Sequence, residues 1–135
     1  MTSLADFKAR DAQIYRPYTD EIPWDLLLLG DPDESSVESY ADADYMRVAK
    51  HDDVVAGVYV VEVVTPLRYA LRNLVVAPAY RRKGLAAWLL GHAIGLSESK
   101  GAREIVIPHA RPRSLFTRVG FQAAEDGLLL TLMPE

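Results

Sequence analysis

The chain contains no cysteine among its 135 residues. This absence excludes disulfide bonds, thiolate zinc sites and a covalent acyl-cysteine intermediate. Histidine is also scarce, and the spacing of His51, His92 and His109 does not match that of metal ligands. We therefore expect no metal cofactor and no thiol nucleophile.

Long apolar runs are absent as well. No stretch approaches the roughly 20 residues that a membrane-spanning helix needs, and residues 26–29 form only a short leucine patch. The N-terminus lacks the charged and hydrophobic regions of a secretory signal. These absences predict a cytoplasmic protein that does not bind a membrane.

A basic surface stripe interleaved with aromatic residues is missing too, and the net charge is −4 with a sequence pI near 5.4. Nucleic-acid binding is therefore not expected. The charge is divided unevenly, since residues 1–66 hold 14 acids and 5 bases while residues 67–135 hold 5 acids and 10 bases. Such a division fits a polyanionic cofactor on one side and a cationic or neutral acceptor on the other, although chance distribution over solvated faces would also produce it.

The length suits a single domain over residues 1–135, without internal repeats or linkers. Residues 1–11 are expected to form either a short helix or a loose N-terminal arm. Periodicity and turn residues predict the remaining elements. Strands are predicted at 12–18, 45–50, 54–64, 71–77 and 103–108 and on both sides of residues 125–127, and helices at 23–30, 37–43, 85–96 and 111–119.

The stretch from residue 71 to residue 86 carries the clearest chemical signal. A β-branched apolar strand stops at Pro78, and a turn with three consecutive cations, Arg81, Arg82 and Lys83, follows it. Gly84 then opens a helix whose first amides lack intrahelical partners, next to the positive end of the helix dipole. The turn therefore suits a diphosphate, although basic triplets are often only solvated turns.

The helix after Gly84 carries an apolar stripe. The stripe has helical spacing and predicts packing along a sheet. Its residues are Leu85, Trp88, Leu89, His92 and Leu96.

Two segments resemble the GNAT superfamily of N-acetyltransferases. Arg81, Gly84 and Ala86 occupy the signature places of motif A, in which Arg or Gln is followed after two residues by Gly and then by Gly or Ala. Val76, Pro78 and Tyr80 precede them as is usual in the superfamily. The segment from Leu115 and Phe116 to Gly120 and Phe121 is similar to the ending of motif B.

The resemblance implies a mixed α/β fold. Its central sheet would be mostly antiparallel, with about seven strands and about four helices, and the fourth and fifth strands would be parallel and splayed. It also implies acetyl-CoA as donor and direct attack by a primary amine, with the Val76 backbone N–H as oxyanion donor. The expected cofactor-binding residues are Leu74, Val75, Val76, Arg81, Arg82, Lys83, Gly84, Leu85, Ala86, His109 and Phe116.

The chain departs from the family pattern at both usual proton-transfer positions. Phe116 replaces the tyrosine that usually protonates the CoA thiolate, and Ala70 stands where some members carry a glutamate. Candidates for proton transfer are His109, Tyr69 and Glu62. His109 could instead contact CoA or be a loop histidine with neither role.

The departures keep a second function open, that of a non-catalytic acetyl-CoA sensor or regulatory protein. An NTP-binding protein is disfavoured because the turn lacks the Gly-x-x-x-x-Gly-Lys-Ser/Thr pattern. For an enzyme, the acids Asp20, Glu21, Asp25 and Asp31 favour a cationic acceptor, either a small molecule or a protein amine. The sequence leaves open a homodimer, the identity of the acceptor and the pathway.

Overall fold

A seven-stranded sheet dominates the computed structural model, which describes residues 4–132. The strands lie in the order β1-β2-β3-β4-β5-β7-β6. Their bounds are β1 (Gln13–Tyr15), β2 (Tyr45–His51), β3 (Val54–Thr65), β4 (Arg68–Val76), β5 (Glu104–Pro108), β6 (Gln122–Ala124) and β7 (Gly127–Thr131). The pair β4 and β5 is parallel and all other pairs are antiparallel, which confirms the predicted mixed sheet.

Four α-helices lie within the described residues: α1 (Trp24–Gly30), α2 (Glu34–Tyr40), α3 (Leu85–Ser99) and α4 (Ser114–Thr117). Helix α2 begins three residues before the predicted start. The reason is the Asp33 side chain, which accepts hydrogen bonds from the backbone N–H groups of Ser35 and Ser36 and so caps the helix. The turn between β6 and β7 has two residues instead of three, because Gly127 already pairs with Ala124.

The two faces of the sheet carry separate cores. Helix α3 covers one face, and α1 and α2 cover the other. The alternation of β3 shows this division, since Tyr59 and Val61 pack on the α3 side while Val58 and Val60 pack under α1 and α2.

The buried face of α3 differs from the predicted stripe. Leu85 and Leu89 are buried as expected, but Trp88 is 48% exposed and His92 is also exposed. The helix meets the sheet through a row rotated from the predicted one. This row consists of Leu85, Leu89, Leu90, Ala93 and Ser97.

A β-bulge interrupts β4 at Arg72. Val61 pairs with Leu71 and Val60 pairs with Asn73, so Arg72 has no partner on β3. The side chains of Arg72 and Asn73 both reach Tyr40 on α2: the Arg72 Cζ lies 5.4 Å from the Tyr40 ring centroid, and the Asn73 Nδ2 donates to the Tyr40 hydroxyl at 3.1 Å. The bulge therefore directs two consecutive β4 residues toward the same helix.

The N-terminal segment lies as two short 3-10 turns, Leu4–Asp6 and Ala9–Asp11. Phe7 between them is buried and packs against His51 and Tyr80, with ring centroids 4.7 and 5.0 Å away. Residues 4–11 are thus held against the sheet rather than forming a loose arm. Residues 1–3 of the predicted arm lie outside the described part of the chain.

Replacing Gly30 with alanine is expected to destabilise the fold by about 1–3 kcal/mol. An added Cβ would overlap the Asn73 Oδ1 and lie 2.9 Å from the Val75 Cβ. Gly95→Ala is the matched control, because a Cβ there meets no atom within 4 Å on the exposed side of α3. That control should stabilise the protein by about 0.5–1 kcal/mol. Urea denaturation measures both values, and equal effects would contradict the packing described here.

Candidate active site

The open edge of β4 defines the site. Strand β5 pairs with β4 at only three positions, the last of which joins Ala70 to Val106. Beyond that pair, β4 continues through residues 71–76 without β5 beside it. The two parallel strands are therefore splayed, and one edge of β4 is left open.

Backbone groups of Val76 and Leu74 face this open edge. Val76 pairs with Gly57 on β3. The residue after Val76, Ala77, donates its N–H to the carbonyl of Ala56, the residue before Gly57, at 2.8 Å. This pattern makes Val76 and Gly57 a non-hydrogen-bonded pair, in which both backbone groups of Val76 point away from β3. Leu74, two residues earlier, has the same orientation.

The loop from β4 to α3 presents a second set of free amides. No backbone N–H from residue 82 to residue 87 donates a hydrogen bond within the described chain. Arg82 and Gly84 have φ values of 63° and 82°, a left-handed conformation that turns successive amides toward one side. A Cβ at Gly84 would meet no atom within 4 Å, so solvent lies above this turn.

Arg81 links the loop to the strand. Its Nε donates to the Val76 carbonyl at 3.3 Å. Tyr80, one residue earlier, is buried, and its hydroxyl lies 3.0 Å from the His51 Nδ1. The start of the turn is therefore held in place by Tyr80 and Arg81, while the N–H groups that follow have no acceptor within the described chain.

The space between the splayed strands is a cleft with two adjoining parts of about 530 and 240 Å³. Both parts are lined by Gly30, Leu71, Arg72 and Ile107. The larger part is otherwise lined mainly by polar side chains: Asp31, Asp33, Ser36 and His109. The smaller part contains Arg111, Arg113 and Phe116. The cleft is therefore acidic at one end and basic at the other.

A hydrogen-bonded chain supports the acidic end. The Tyr40 hydroxyl donates to the Asp31 Oδ2 at 2.8 Å and accepts from the Asn73 Nδ2. The same Nδ2 donates to the Leu27 carbonyl at 2.9 Å, and the Asp33 N–H donates to the Asp31 Oδ1 at 3.2 Å. These contacts hold the carboxylate in one position.

The same network shifts the pKa values of Tyr40 and Asp31 in opposite directions. Burial, followed by the hydrogen bond to Asp31, raises the pKa of the Tyr40 hydroxyl to about 12. Desolvation alone would raise the pKa of Asp31, but the hydrogen bonds from Tyr40 and the Asp33 N–H outweigh it, and the pKa is lowered. Asp31 is therefore ionised, and Tyr40 is a neutral donor, at neutral pH.

Comparison with known proteins decides the family. The family model described as "Acetyltransferase (GNAT) family" matches residues 9–121. The chain belongs to the GNAT acetyltransferase family. An uncharacterized N-acetyltransferase of Bacillus subtilis, YvbK, is 31% identical over 108 residues, covering 77% of this chain and 70% of the relative.

Solved structures show the same GNAT fold. A GNAT family acetyltransferase from Elizabethkingia anophelis with acetyl-CoA bound has a TM-score of 0.81 and 20% identity, covering 90% of this chain and 99% of that one. A Bacillus subtilis acetyltransferase in complex with CoA has a TM-score of 0.75 and 25% identity, covering 90% and 98%. The predicted fold class is therefore confirmed.

The three proton-transfer candidates lie in different places. His109 is exposed, lines the larger part of the cleft and is held with φ 62° by a hydrogen bond of 2.6 Å from its N–H to the Asp126 carbonyl. Glu62 forms an ion pair with Arg72 at 3.6 Å. Tyr69 is buried in the core on the α3 side, where its hydroxyl donates to the Lys100 carbonyl. Of these three GNAT candidates, only His109 lines the cleft.

Phe116 also lines the cleft, in the smaller part. Its ring is buried and packs edge-on against Phe121, with the Arg113 Cζ at 5.5 Å from its centroid. It is an apolar wall at this motif B position.

The acids expected to attract a cationic acceptor are separated as well. Asp31 lines the cleft between β4 and β5. Glu21 is paired with Lys50 at 3.5 Å, and Asp25 lines another cleft of about 600 Å³ beside α1. Asp20 is exposed and lines no part of this cleft.

The Asp31, Tyr40 and Asn73 network was not predicted from the sequence. The sequence shows the Asp-Pro turn at Asp31, but it does not show that Tyr40 reaches back to this turn.

No group of three or more His, Asp or Glu side chains within residues 4–132 is arranged to hold a metal ion. None of the helices described has the length and apolar character needed to cross a membrane.

Replacing Tyr40 with phenylalanine is expected to destabilise the protein by about 1–2 kcal/mol near neutral pH. Because the Asp31 pKa is lowered by folding, this contribution is present above the pKa of the unfolded chain and is lost as the pH falls through the folded value. The difference from wild type should therefore shrink in acid, as measured by urea denaturation along a pH series.

The control for Tyr40→Phe is the same substitution made in an Asp31→Asn background. There the effect of losing the hydroxyl should not change over the acidic range, since no carboxylate titrates at residue 31. A pH-independent difference in the wild-type background would show that Tyr40 does not act through Asp31.

Proposed function

We propose that this GNAT protein is an N-acetyltransferase that moves the acetyl group of acetyl-CoA to a primary amine. The observation that carries the proposal is the set of free amides at residues 82–87 beside the open edge of β4. The structures from Elizabethkingia anophelis and Bacillus subtilis, which contain acetyl-CoA and CoA, support it.

The fit to acetyl-CoA follows from the chemistry of each part of the site. The amides of residues 82–86, the positive end of α3 and the side chains of Arg81, Arg82 and Lys83 would hold the diphosphate. The pantetheine arm carries amides, and these match the exposed backbone groups of Leu74 and Val76 as an added strand would. Leu85, Ala86, His109 and Phe116 complete the proposed binding set, whereas Val75, also expected in it, pairs with Val58 on β3 and packs in the core under α1 and α2.

The chemistry proposed is direct attack. A neutral amine forms a C–N bond at the thioester carbonyl carbon, and the C–S bond breaks as the CoA thiolate leaves. The Val76 N–H, which faces the open edge, would donate to the carbonyl oxygen as negative charge develops on it. No covalent enzyme intermediate is needed, in keeping with the absence of cysteine.

Proton transfer is assigned to His109, because its side chain lines the cleft and Tyr69 does not. It would take the proton that the attacking amine loses. The leaving thiolate needs no acid of its own, since a thiol has an ordinary pKa of about 8.5 and its anion is a good leaving group near neutral pH. Phe116 in place of tyrosine is compatible with turnover for this reason.

A second candidate function is a non-catalytic acetyl-CoA sensor. The observation that favours it is Phe116, a buried ring without a proton to give at the motif B position. Tight acetyl-CoA binding without acetylation of any amine in a broad panel, and without hydrolysis, would select this alternative.

The substitution Gly84→Ala tests the proposed diphosphate-binding loop, residues 81–86. A Cβ at residue 84 would project into the open turn, so the Kd for acetyl-CoA is expected to rise at least about tenfold, equivalent to about 1.4 kcal/mol. Gly101→Ala is the matched control. Gly101 also has a positive φ, 99°, and open space around it, but it lies beyond the other end of α3.

Isothermal calorimetry with acetyl-CoA, CoA and ATP measures these affinities. Wild type should bind both CoA species more tightly than ATP, and Gly101→Ala should bind them as wild type does. Equal losses in the two variants would show that the effect comes from backbone strain and not from the loop, and a preference for ATP would overturn the assignment of the donor.

A further inference from the structure

The acidic end of the cleft indicates which acceptor the protein uses. Asp31, Asp33 and Ser36 line it on one side, and Arg72 and His109 line it on the other. Arg72 is paired with Glu62, and its charge also helps to lower the pKa of Asp31. Neither Asp31 nor Asp33 takes part in the ion pairs of residues 4–132.

Asp31 is better placed to bind a ligand than its acidic neighbour. The Asp33 Oδ1 accepts three hydrogen bonds, from Ser35 N, Ser35 Oγ and Ser36 N, and so serves the start of α2. Asp31 accepts one hydrogen bond at each oxygen, from Tyr40 and from the Asp33 N–H, and the Ser36 hydroxyl also helps to lower its pKa. A carboxylate has about four lone-pair sites, so at least one remains for a ligand.

The support beneath Asp31 is rigid. Tyr40 and Asn73 are both buried, and Asn73 is among the residues that line the adjoining smaller part of the cleft. The Asn73 Oδ1 has no hydrogen-bond partner within residues 4–132 and lies directly under Gly30, which lines both parts of the cleft. Its Nδ2 is committed to Tyr40 and the Leu27 carbonyl. Such a fixed carboxylate can bind a cation without first reorganising.

The charge of the reacting group limits what Asp31 can bind. An amine must be neutral to attack a thioester, because an ammonium group has no free electron pair. A carboxylate that is ionised at neutral pH gains little from a neutral amine. If Asp31 contributes to acceptor binding, its ligand is a different positive group of the same molecule.

We propose that Asp31 binds a second ammonium group of the acceptor, so that the acceptor is a small aliphatic diamine or polyamine. One nitrogen loses its proton and is acetylated, while the other stays charged at Asp31. This inference rests on the proposed acetyl transfer. The basic end of the cleft, with Arg111 and Arg113, would repel such a cation and direct it to the opposite end.

The test compares putrescine with n-butylamine, which have the same number of carbon atoms and differ in the second amino group. Wild type is expected to acetylate putrescine with a kcat/KM at least about tenfold higher than that for n-butylamine. In Asp31→Asn this preference should fall to within about twofold, mainly through a higher KM for putrescine. Asp25→Asn, which changes an exposed acid in the separate cleft beside α1, should keep the wild-type preference.

A binding measurement keeps the inference testable without turnover. Calorimetric titration of putrescine into the protein saturated with CoA should show binding to wild type and to Asp25→Asn, and at least about tenfold weaker binding to Asp31→Asn. Circular dichroism and acetyl-CoA affinity establish that the Asp31 variant is folded. Tyr40→Phe should raise the KM for putrescine without changing the Kd for acetyl-CoA.

The outcomes separate this inference from the function on which it rests. Equal use of putrescine and n-butylamine by wild type would overturn the role of Asp31 and leave acetyl transfer standing. Acetylation of protein amino groups with no activity on either small amine would also overturn it. Failure to bind acetyl-CoA would overturn the proposed function itself, and putrescine titrated into the protein without CoA would then still report whether Asp31 binds a diamine.

Discussion

The separation of β4 from β5 is the constraint on which the rest of the structure depends. A strand inside a sheet normally has its backbone groups paired on both edges, and unpaired groups that are also buried are costly. Here β4 loses its neighbour after Ala70 while its other edge stays paired with β3. The unpaired groups remain tolerable because a cleft, and not packed side chains, lies beside them.

The bulge at Arg72 connects this opening to the acidic end of the cleft. By adding a residue to β4, it changes which face the following side chains take, so that Asn73 points under α1 and α2. Asn73 then joins the Leu27 carbonyl to Tyr40, and Tyr40 holds Asp31. One irregularity in a strand thereby orients a carboxylate on the connection between two helices.

Much of the fold could be read from the sequence because its signals are local. The hairpin of β2 and β3, the stop at Pro78 and the helix after Gly84 each rest on residue types whose backbone preferences are strong. The face that α3 buries was predicted less well. Trp88 and Leu89 are equally apolar in sequence, and only the position of the sheet decides which one it covers.

The parts of the site that were missed depend on contacts between distant residues. Asp31 and Asn73 are brought together through Tyr40, and the spacing of these three residues follows no helix or strand period. The same limit applies to proton transfer, for which His109, Tyr69 and Glu62 are comparable in sequence. Their separation becomes visible only once the sheet assigns Tyr69 to the core and His109 to the cleft.

The packing of Phe7 on Tyr80 supports the loop between β4 and α3. The rings of Tyr80, Phe7 and His51 pack against one another, so the start of the loop is supported by a segment from the N-terminal part of the chain. The signature residues therefore do not hold their shape alone. A graft of this loop into a foreign scaffold would need a substitute for these aromatic contacts, and a fusion partner attached ahead of Phe7 would lie near Tyr80 at the start of the loop.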